Sequence, residues 1–550
     1  GSTGTVTYTA QTGAKEDYDG GAGVDNVSVA ATIAAGNDFD LGDGDDIFDM
    51  STTITAGDVD VNTGSGDDTI KVGDNLTASG DTIDGGEGTD TIELTGDSTA
   101  TLGAGVAVSN VENAVIDAVS GTSGDLDLLG DKLEQVTVIS SADGDDATLT
   151  NIGTEKVILK NTDDGNDTGS DTIGFGTLDL DLASPSGSGD SLDLTVENRD
   201  PNEKMVVADI NADGVETLNL TLSRAGDVAN GADIEIQDFS GTIGTLDIGG
   251  TADFLTGNTA VAVATVDASD LTGSVEATMD SANQTITTAA GDDVIDFGSN
   301  LDKSDVIDLG GGEDTVKVTG TNLAAGSGDL DMSGVETLEL TANATNFFDF
   351  ADVDSTLGKI IVKDSNTGSA EKQTFTSFDL NTTIEAITST SVEVAVDGAD
   401  TDSDVLDLHT KLDGNATVTI AESGDKVDEL DIEVNDTGSS ANTYTYDVSG
   451  VGASKVTVDQ NTIDDANVNV NLRGGGGSKT LNAAVTEVDA TGVLGTFSAD
   501  ATGTNAGVTF NLDGTAKQTI TGSANADTIN INKTGAAHDV DAGSGDDTVD

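Results

Sequence analysis

A turn built on glycine and aspartate recurs in this chain at fixed distances, and that regularity narrows the possible folds more than any other feature. In residues 79–94, SGDTIDGGEGTDTIEL, Ile83 and Ile92 stand nine residues apart and bracket Gly85-Gly86-Glu87-Gly88-Thr89-Asp90. The same nine-residue offset separates Tyr18 from Val27, Phe39 from Phe48, Val61 from Ile70 and Ile286 from Ile295. It separates Ile307 from Val316, Ile520 from Ile529 and Val540 from Val549 as well. The turn aspartates fall at 25, 46, 68 and 90, in steps of 21, 22 and 22; a second series holds 293 and 314, a third 527 and 547. Turns repeated at one rung length stack into a ladder along an edge of a solenoid.

The residue types suggest what such a turn does. Glycine reaches positive φ without a steric cost and lets carbonyl oxygens crowd toward one point. An aspartate adds a charged oxygen there, and the apolar residue two places on starts a strand facing a core. Calcium takes six to eight oxygens in a flexible shell, which such a turn can offer. The matched aspartates Asp25, Asp46, Asp68, Asp90, Asp293, Asp314, Asp527 and Asp547 are the expected inward Ca2+ ligands. In the doublets, the first members Asp45, Asp67, Asp292 and Asp546 complete the shell from the side chain, bind through the carbonyl alone, or stay in solvent. Asp19, Asp84, Asp308 and Asp541, which precede the same turns, complete the candidate metal set.

A second repeat lies between these blocks. Val111-Glu112-Asn113-Ala114-Val115-Ile116, Leu133-Glu134-Gln135-Val136 and Thr154-Glu155-Lys156-Val157 place their glutamates 22 and 21 residues apart, the same rung length. Gly214-Val215-Glu216-Thr217-Leu218 and Gly334-Val335-Glu336-Thr337-Leu338 repeat it, and Thr383-Ile384-Glu385 and Asp428-Glu429-Leu430 do so more weakly. Each reads as an alternating strand with one apolar face. The glutamate is a metal ligand or, as the leading expectation, a residue at the head of its strand that pairs with a neighbouring rung's backbone or a lysine. The expected architecture is all-β: a parallel β-solenoid, or calcium β-roll, with rungs of about 21–22 residues. Five blocks follow: calcium turns in 1–100, V-E-x-L-x-L rungs in 101–280, calcium turns again in 281–345, longer irregular rungs of roughly 24 to 30 residues in 346–510, and a third, apparently truncated, calcium block in 511–550. Both prolines, Pro185 and Pro201, fall where loops, edges or a kink are expected.

Charge sets a problem that the turns can solve. The chain has 102 acidic and 20 basic residues, a net charge of −82, which opposes compaction. Low hydrophobicity with high charge ordinarily means disorder, but the regular Asp-Gly placement points to counter-ions as part of the fold. The same charge makes nucleic acid and anionic membrane surfaces poor partners, and no nucleic-acid partner is expected. With 35% apolar residues, 3% aromatics and no Trp, the core is expected to be thin. There is no Cys and no apolar run long enough to span a membrane. Free calcium is plentiful outside the cell, so an extracellular bacterial location is expected, with the secretion signal and anchor outside these residues.

No catalytic pattern stands out. His409 and His538 are far apart and form no HExxH, and no G-x-S-x-G elbow occurs. Arg473 to Thr480, RGGGGSKT, has Ser478 where a phosphate loop needs glycine. Carboxylate pairs are too numerous for any one of them to mark a glycosidase. The chain is read as a non-enzyme.

GGEGTDTIEL (residues 85–94), GVETLNL (214–220) and GVETLEL (334–340), in a Cys-free chain rich in Thr, Ala, Gly and Asp, resemble the RTX-type surface-layer proteins of Gram-negative bacteria. The resemblance implies type I secretion, calcium-dependent self-assembly into a homo-oligomeric lattice, and attachment to lipopolysaccharide or a cell-surface glycan through a region outside this sequence. A filament or biofilm-matrix adhesin of the same fold is the alternative, and the repeat portion of a secreted polysaccharide-active enzyme a weaker one. Ligand that binds only the folded form stabilises it by about 2.7 kcal/mol per site at a hundredfold excess over Kd.

Overall fold

The computed structural model describes residues 6–10, 15, 17–29, 36–51, 59–73, 80–95, 102, 105–118, 122–140, 144–161, 174–185, 187, 189–199, 204–224, 233–257, 259–280, 283–319, 331–342, 346–349, 357–364, 371–376, 383–388, 391–397, 405–412, 416–422, 429–436, 443–449, 455–462, 467–473, 487–491, 496–504, 507–513, 516–532 and 537–550. The chain forms two compact units: Gly1–Thr278 with Thr287–Ala290, and Met279–Ile286 with Gly291–Asp550. Each is a parallel β-solenoid, as the turn spacing predicts. Among the described residues the only helix is the short 3-10 turn Leu126–Leu129.

In the first unit one sheet begins with strands Val6–Ala10, Asp25–Val29, Ile47–Met50, Thr69–Val72 and Thr91–Leu94. It continues through Asn113–Ala118, Gln135–Ser140 and Lys156–Asn161. Phe48, Ile70, Ile92, Ala114, Val136 and Val157 pair in one row across it, one rung apart. A second sheet carries Asp17–Ala22, Asn37–Asp43, Val59–Asn62 and Thr82–Asp84, with Phe39, Val61 and Ile83 in one row. Residues alternate between faces along the strands, so Val59–Asn62 and Thr69–Val72 each send two side chains inward and their rung sends four. Phe39 and Phe48 meet with ring centroids 5.0 Å apart. The interior is one layer of Val, Ile, Leu, Phe and Ala, almost all fully buried. A core this thin explains why so few aromatics suffice.

Rung length departs from expectation in one place. The longest rungs were expected only beyond residue 346, yet Val157 pairs with Leu194, Leu194 with Leu220, and Leu220 with Ile248 in the first unit. A solenoid core fixes the strands and leaves the corners free, so extra residues enter a rung without disturbing the register. The second unit does lengthen as expected. Leu338 still pairs with Ile360 at the ordinary rung length, but Leu408 pairs with Ile432, Ile432 with Val458 and Val456 with Val488, before the rungs shorten again at Phe510 and Ile529. Pro185 follows strand Phe175–Leu182 and lies outside the ladder. Pro201 lies outside the described residues.

Candidate metal centre

At the corners between the two sheets of the first unit, stacked turns come within hydrogen-bonding distance. Gly64 (φ 105°) and Gly66 (φ 137°) are left-handed, and a Cβ on either would run into the carbonyl oxygen of Gly42 or Gly44 one rung below. Rungs about 4.8 Å apart leave no room for a side chain there. The turn backbones pair directly: Ser65 N–H donates to Gly42 O and Glu87 N–H to Gly64 O, both at 2.8 Å. Stacking alone therefore accounts for the glycines.

The aspartates form two ladders that run in opposite directions. Asp25, Asp46, Asp68 and Asp90 are buried, with 1%, 1%, 1% and 0% exposure. Asp25 N–H donates to Asp46 Oδ1 (2.7 Å), Asp46 N–H to Asp68 Oδ1 (2.7 Å) and Asp68 N–H to Asp90 Oδ1 (2.9 Å). The carboxylates of Asp46, Asp68 and Asp90 thus each fasten the rung before. The first members of the doublets fasten the rung after. Asp67 N–H donates to Asp45 Oδ1 (3.0 Å), Thr89 N–H to Asp67 Oδ1 (2.9 Å) and, in the second unit, Glu313 N–H to Asp292 Oδ1 (3.0 Å). Asp45, Asp67 and Asp292 are exposed, each with Oδ1 held by the following rung.

The glutamates of the second repeat stand in the same column. Asp90 N–H donates to Glu112 Oε2 at 2.9 Å, Asp314 N–H to Glu336 Oε2 at 2.9 Å, and Asp190 N–H to Glu216 Oε2 at 2.8 Å. This is the expected pairing with a neighbouring rung's backbone. Asp293 N–H donates to Asp314 Oδ1 (2.8 Å), Val508 N–H to Asp527 Oδ1 (2.6 Å) and Asp527 N–H to Asp547 Oδ1 (2.9 Å). Glu385 and Glu429 have side chains outside the described set.

Four expected ligands stand elsewhere. Asp19, Asp308 and Asp541 are exposed and Asp84 half-buried, because alternation turns them outward from the strands that lead into the turns. Asp84 Oδ1 accepts from Asn110 Nδ2 and Asp308 Oδ1 from Ser333 Oγ. Asp546 is exposed and Asp547 half-buried. Among the described residues four buried carboxylates escaped the sequence reading: Asp81, Asp145, Glu235 and Asp305. Asp81 Oδ1 accepts from Val59 N–H (2.8 Å) and Asp305 Oδ1 from Gln284 N–H (2.9 Å), at the opposite corner of the rung. No glycine turn marks Asp81 or Asp305; the x-Thr/Val-Ile-Asp pattern after each was the available signal.

At Asp46, Asp68, Asp90 and Asp314 one carboxylate oxygen fastens a rung and the other is left over. Asp46 Oδ2, Asp68 Oδ2, Asp90 Oδ2 and Asp314 Oδ2 are buried with no hydrogen-bond partner. Burial, reinforced by neighbouring carboxylates, pushes Asp46, Asp90 and Asp314 from 3.8 up to about 7; for Asp46 the neighbours are Asp68, Asp25 and Asp45. Burial also raises Asp68, against the Asp46 amide and the nearby Thr63 hydroxyl, which favour its ionised form. Ionised carboxyls one rung apart repel by roughly 3–4 kcal/mol per neighbouring pair at an effective dielectric near 20. Such a column calls for positive charge. Among the described residues no three His, Cys, Asp or Glu side chains converge to hold a metal ion. A cation here would therefore draw on turn carbonyls, whose second lone pair is free even when the first accepts an N–H. All-oxygen donors with buried, unpartnered carboxylate atoms fit a hard divalent cation such as Ca2+.

Fold and corners together define a β-solenoid with a buried carboxylate column along its edge. The chain matches no protein-family model and no curated protein.

Proposed function

We propose that this is a structural protein of the bacterial cell surface, a calcium-stabilised β-solenoid that self-assembles into a surface layer. The observation that carries the reading is the set of buried, partnerless Oδ2 atoms at Asp46, Asp68, Asp90 and Asp314. Bound calcium would supply two positive charges at each such corner. The chain's own part is to hold one carboxylate oxygen open while the other fastens the adjacent rung. With a net charge of −82, the polypeptide would stay unfolded in a calcium-poor cytoplasm and fold after export. Further acidic clusters on the outer faces would bridge subunits through the same ion. Among the described residues no helix is long and apolar enough to cross a membrane.

A calcium titration followed by circular dichroism and electron microscopy tests this. The expected result is β-signal appearing with calcium, then two-dimensional sheets that dissolve in chelator. Isolated fibres would replace the layer with a filament; an identical spectrum in excess chelator would overturn the calcium mechanism itself.

A further inference from the structure

The corners are not all alike. In the turns ending at Asp46, Asp68, Asp90 and Asp314 the second residue is Gly42, Gly64, Gly86 or Gly310, with φ of 101°, 105°, 94° and 70°. In that left-handed state the second amide does not reach the aspartate, and Oδ2 is left bare. The turn Gly522-Ser523-Ala524-Asn525-Ala526-Asp527 has serine at this position. Ser523 N–H donates to Asp527 Oδ2 (2.7 Å) and Ser523 Oγ–H to Asp527 Oδ1 (2.9 Å), while Val508 N–H donates to the same Oδ1 (2.6 Å). Asn525 N–H in turn donates to Ser523 Oγ (3.0 Å). Ser523 is 3% and Asp527 1% exposed, so these donors act out of reach of water. Three hydrogen bonds satisfy this carboxylate on both oxygens. Asp25 stands between the two kinds: Gly21 N–H donates to Oδ2 (3.1 Å) and Oδ1 is left over.

We propose that the second turn residue decides which corners take calcium: the left-handed glycine corners at Asp46, Asp68, Asp90 and Asp314 bind it, and the Asp527 corner, closed by Ser523, binds none. This rests on the calcium reading above and divides its sites. Three donors already in place supply at Asp527 what the ion supplies elsewhere, and a cation would have to displace the Ser523 amide and hydroxyl to enter. The Asp527 rung then holds its neighbours together at calcium levels that leave the glycine corners empty.

Bound calcium per chain, measured by equilibrium dialysis with elemental analysis on the whole protein, distinguishes the cases. Asp90→Asn should lose at least one ion and Asp527→Asn none. Ser523→Gly, which removes the hydroxyl and opens left-handed φ to the second position, should gain one. If Asp527→Asn fails to fold, Ser523→Gly decides alone. Loss of an ion in Asp527→Asn, or an unchanged count in Ser523→Gly, overturns the division while leaving the calcium reading standing. A wild-type chain without bound calcium overturns both.

Discussion

Two stretches of the first unit solve the same electrostatic problem with different means. Between residues 17 and 95 the corner column is Asp25, Asp46, Asp68 and Asp90, with no basic side chain in it. Between 204 and 257 the residues that precede paired strands are Lys204, Asp233 and Asp253, placed by the pairing of Met205 with Ile234 and Ile234 with Phe254. There Lys204 Nζ pairs with Glu235, and Arg224 lies 3.9 Å from Asp253. Lys204, Gln237 and their hydrogen bonds overcome burial and hold the Glu235 carboxyl below its usual range. Burial and Asp253 push Asp233 up to about 6, against the pull of Arg224 and Lys204. One stretch carries its cations in the sequence; the other has none in its column and, on the calcium reading proposed above, would draw them from solution.

Chelation is the strongest way to break that contrast. In excess chelator the amides of Asp46 and Asp68 should lose hydrogen-exchange protection by roughly a hundredfold for each vacated site. Those of Met205 and Ile234, in the lysine-bearing stretch, should lose far less. Equal losses in the two stretches would show that calcium is not what distinguishes them.

A mutation probes one site at a time. Asp68→Ala leaves the buried Asp46 N–H without its acceptor, a loss of about 1–3 kcal/mol, and removes a ligand oxygen besides. It should lower the melting temperature in calcium and raise the calcium midpoint; Asp90→Ala should do likewise. Midpoints equal to wild type would mean the ligands are misassigned.

The pH dependence should differ in sign with and without calcium. Asp46, Asp90 and Asp314 have folded-state values raised to about 7 from 3.8, so the folded chain favours their protonated form. Without calcium that contribution is fully present below about pH 4 and is lost as pH rises through about 7. With calcium, which needs the ionised carboxylates, stability should instead rise over this range. Thermal melts at pH 5 and pH 8 with and without chelator check both slopes.

Lys204→Met gives a smaller effect. It strips the partner from Glu235, which is 10% exposed against 38% for the lysine, and should cost about 1–2 kcal/mol. Lys71→Met removes a 2.6 Å pair with Glu93 whose two side chains are 34% and 30% exposed, so under about 1 kcal/mol is expected. Urea unfolding at fixed calcium would rank the two.

Much of this was legible before the fold was seen. The steps from Asp25 to Asp90 give rung length and stacking directly, because one register links all four turns. The same arithmetic places Glu112 at 22 beyond Asp90 and Glu336 at 22 beyond Asp314, so the two repeats are one column, though their different residues suggest two devices. Asp84 and Asp308 were harder, since a motif does not say which face of a short strand points inward. The rung from Val157 to Leu194 was not legible at all, because corner length carries no packing signal. Nor does a glycine-aspartate pattern reveal that Ser523 closes its own turn; that depends on where an amide and a hydroxyl point.

The most direct test is anomalous diffraction from crystals grown in calcium. The account predicts peaks about 2.3–2.6 Å from the Oδ2 atoms of Asp46, Asp68, Asp90 and Asp314. Ordered water or a backbone N–H against those oxygens, with no anomalous signal, would contradict it.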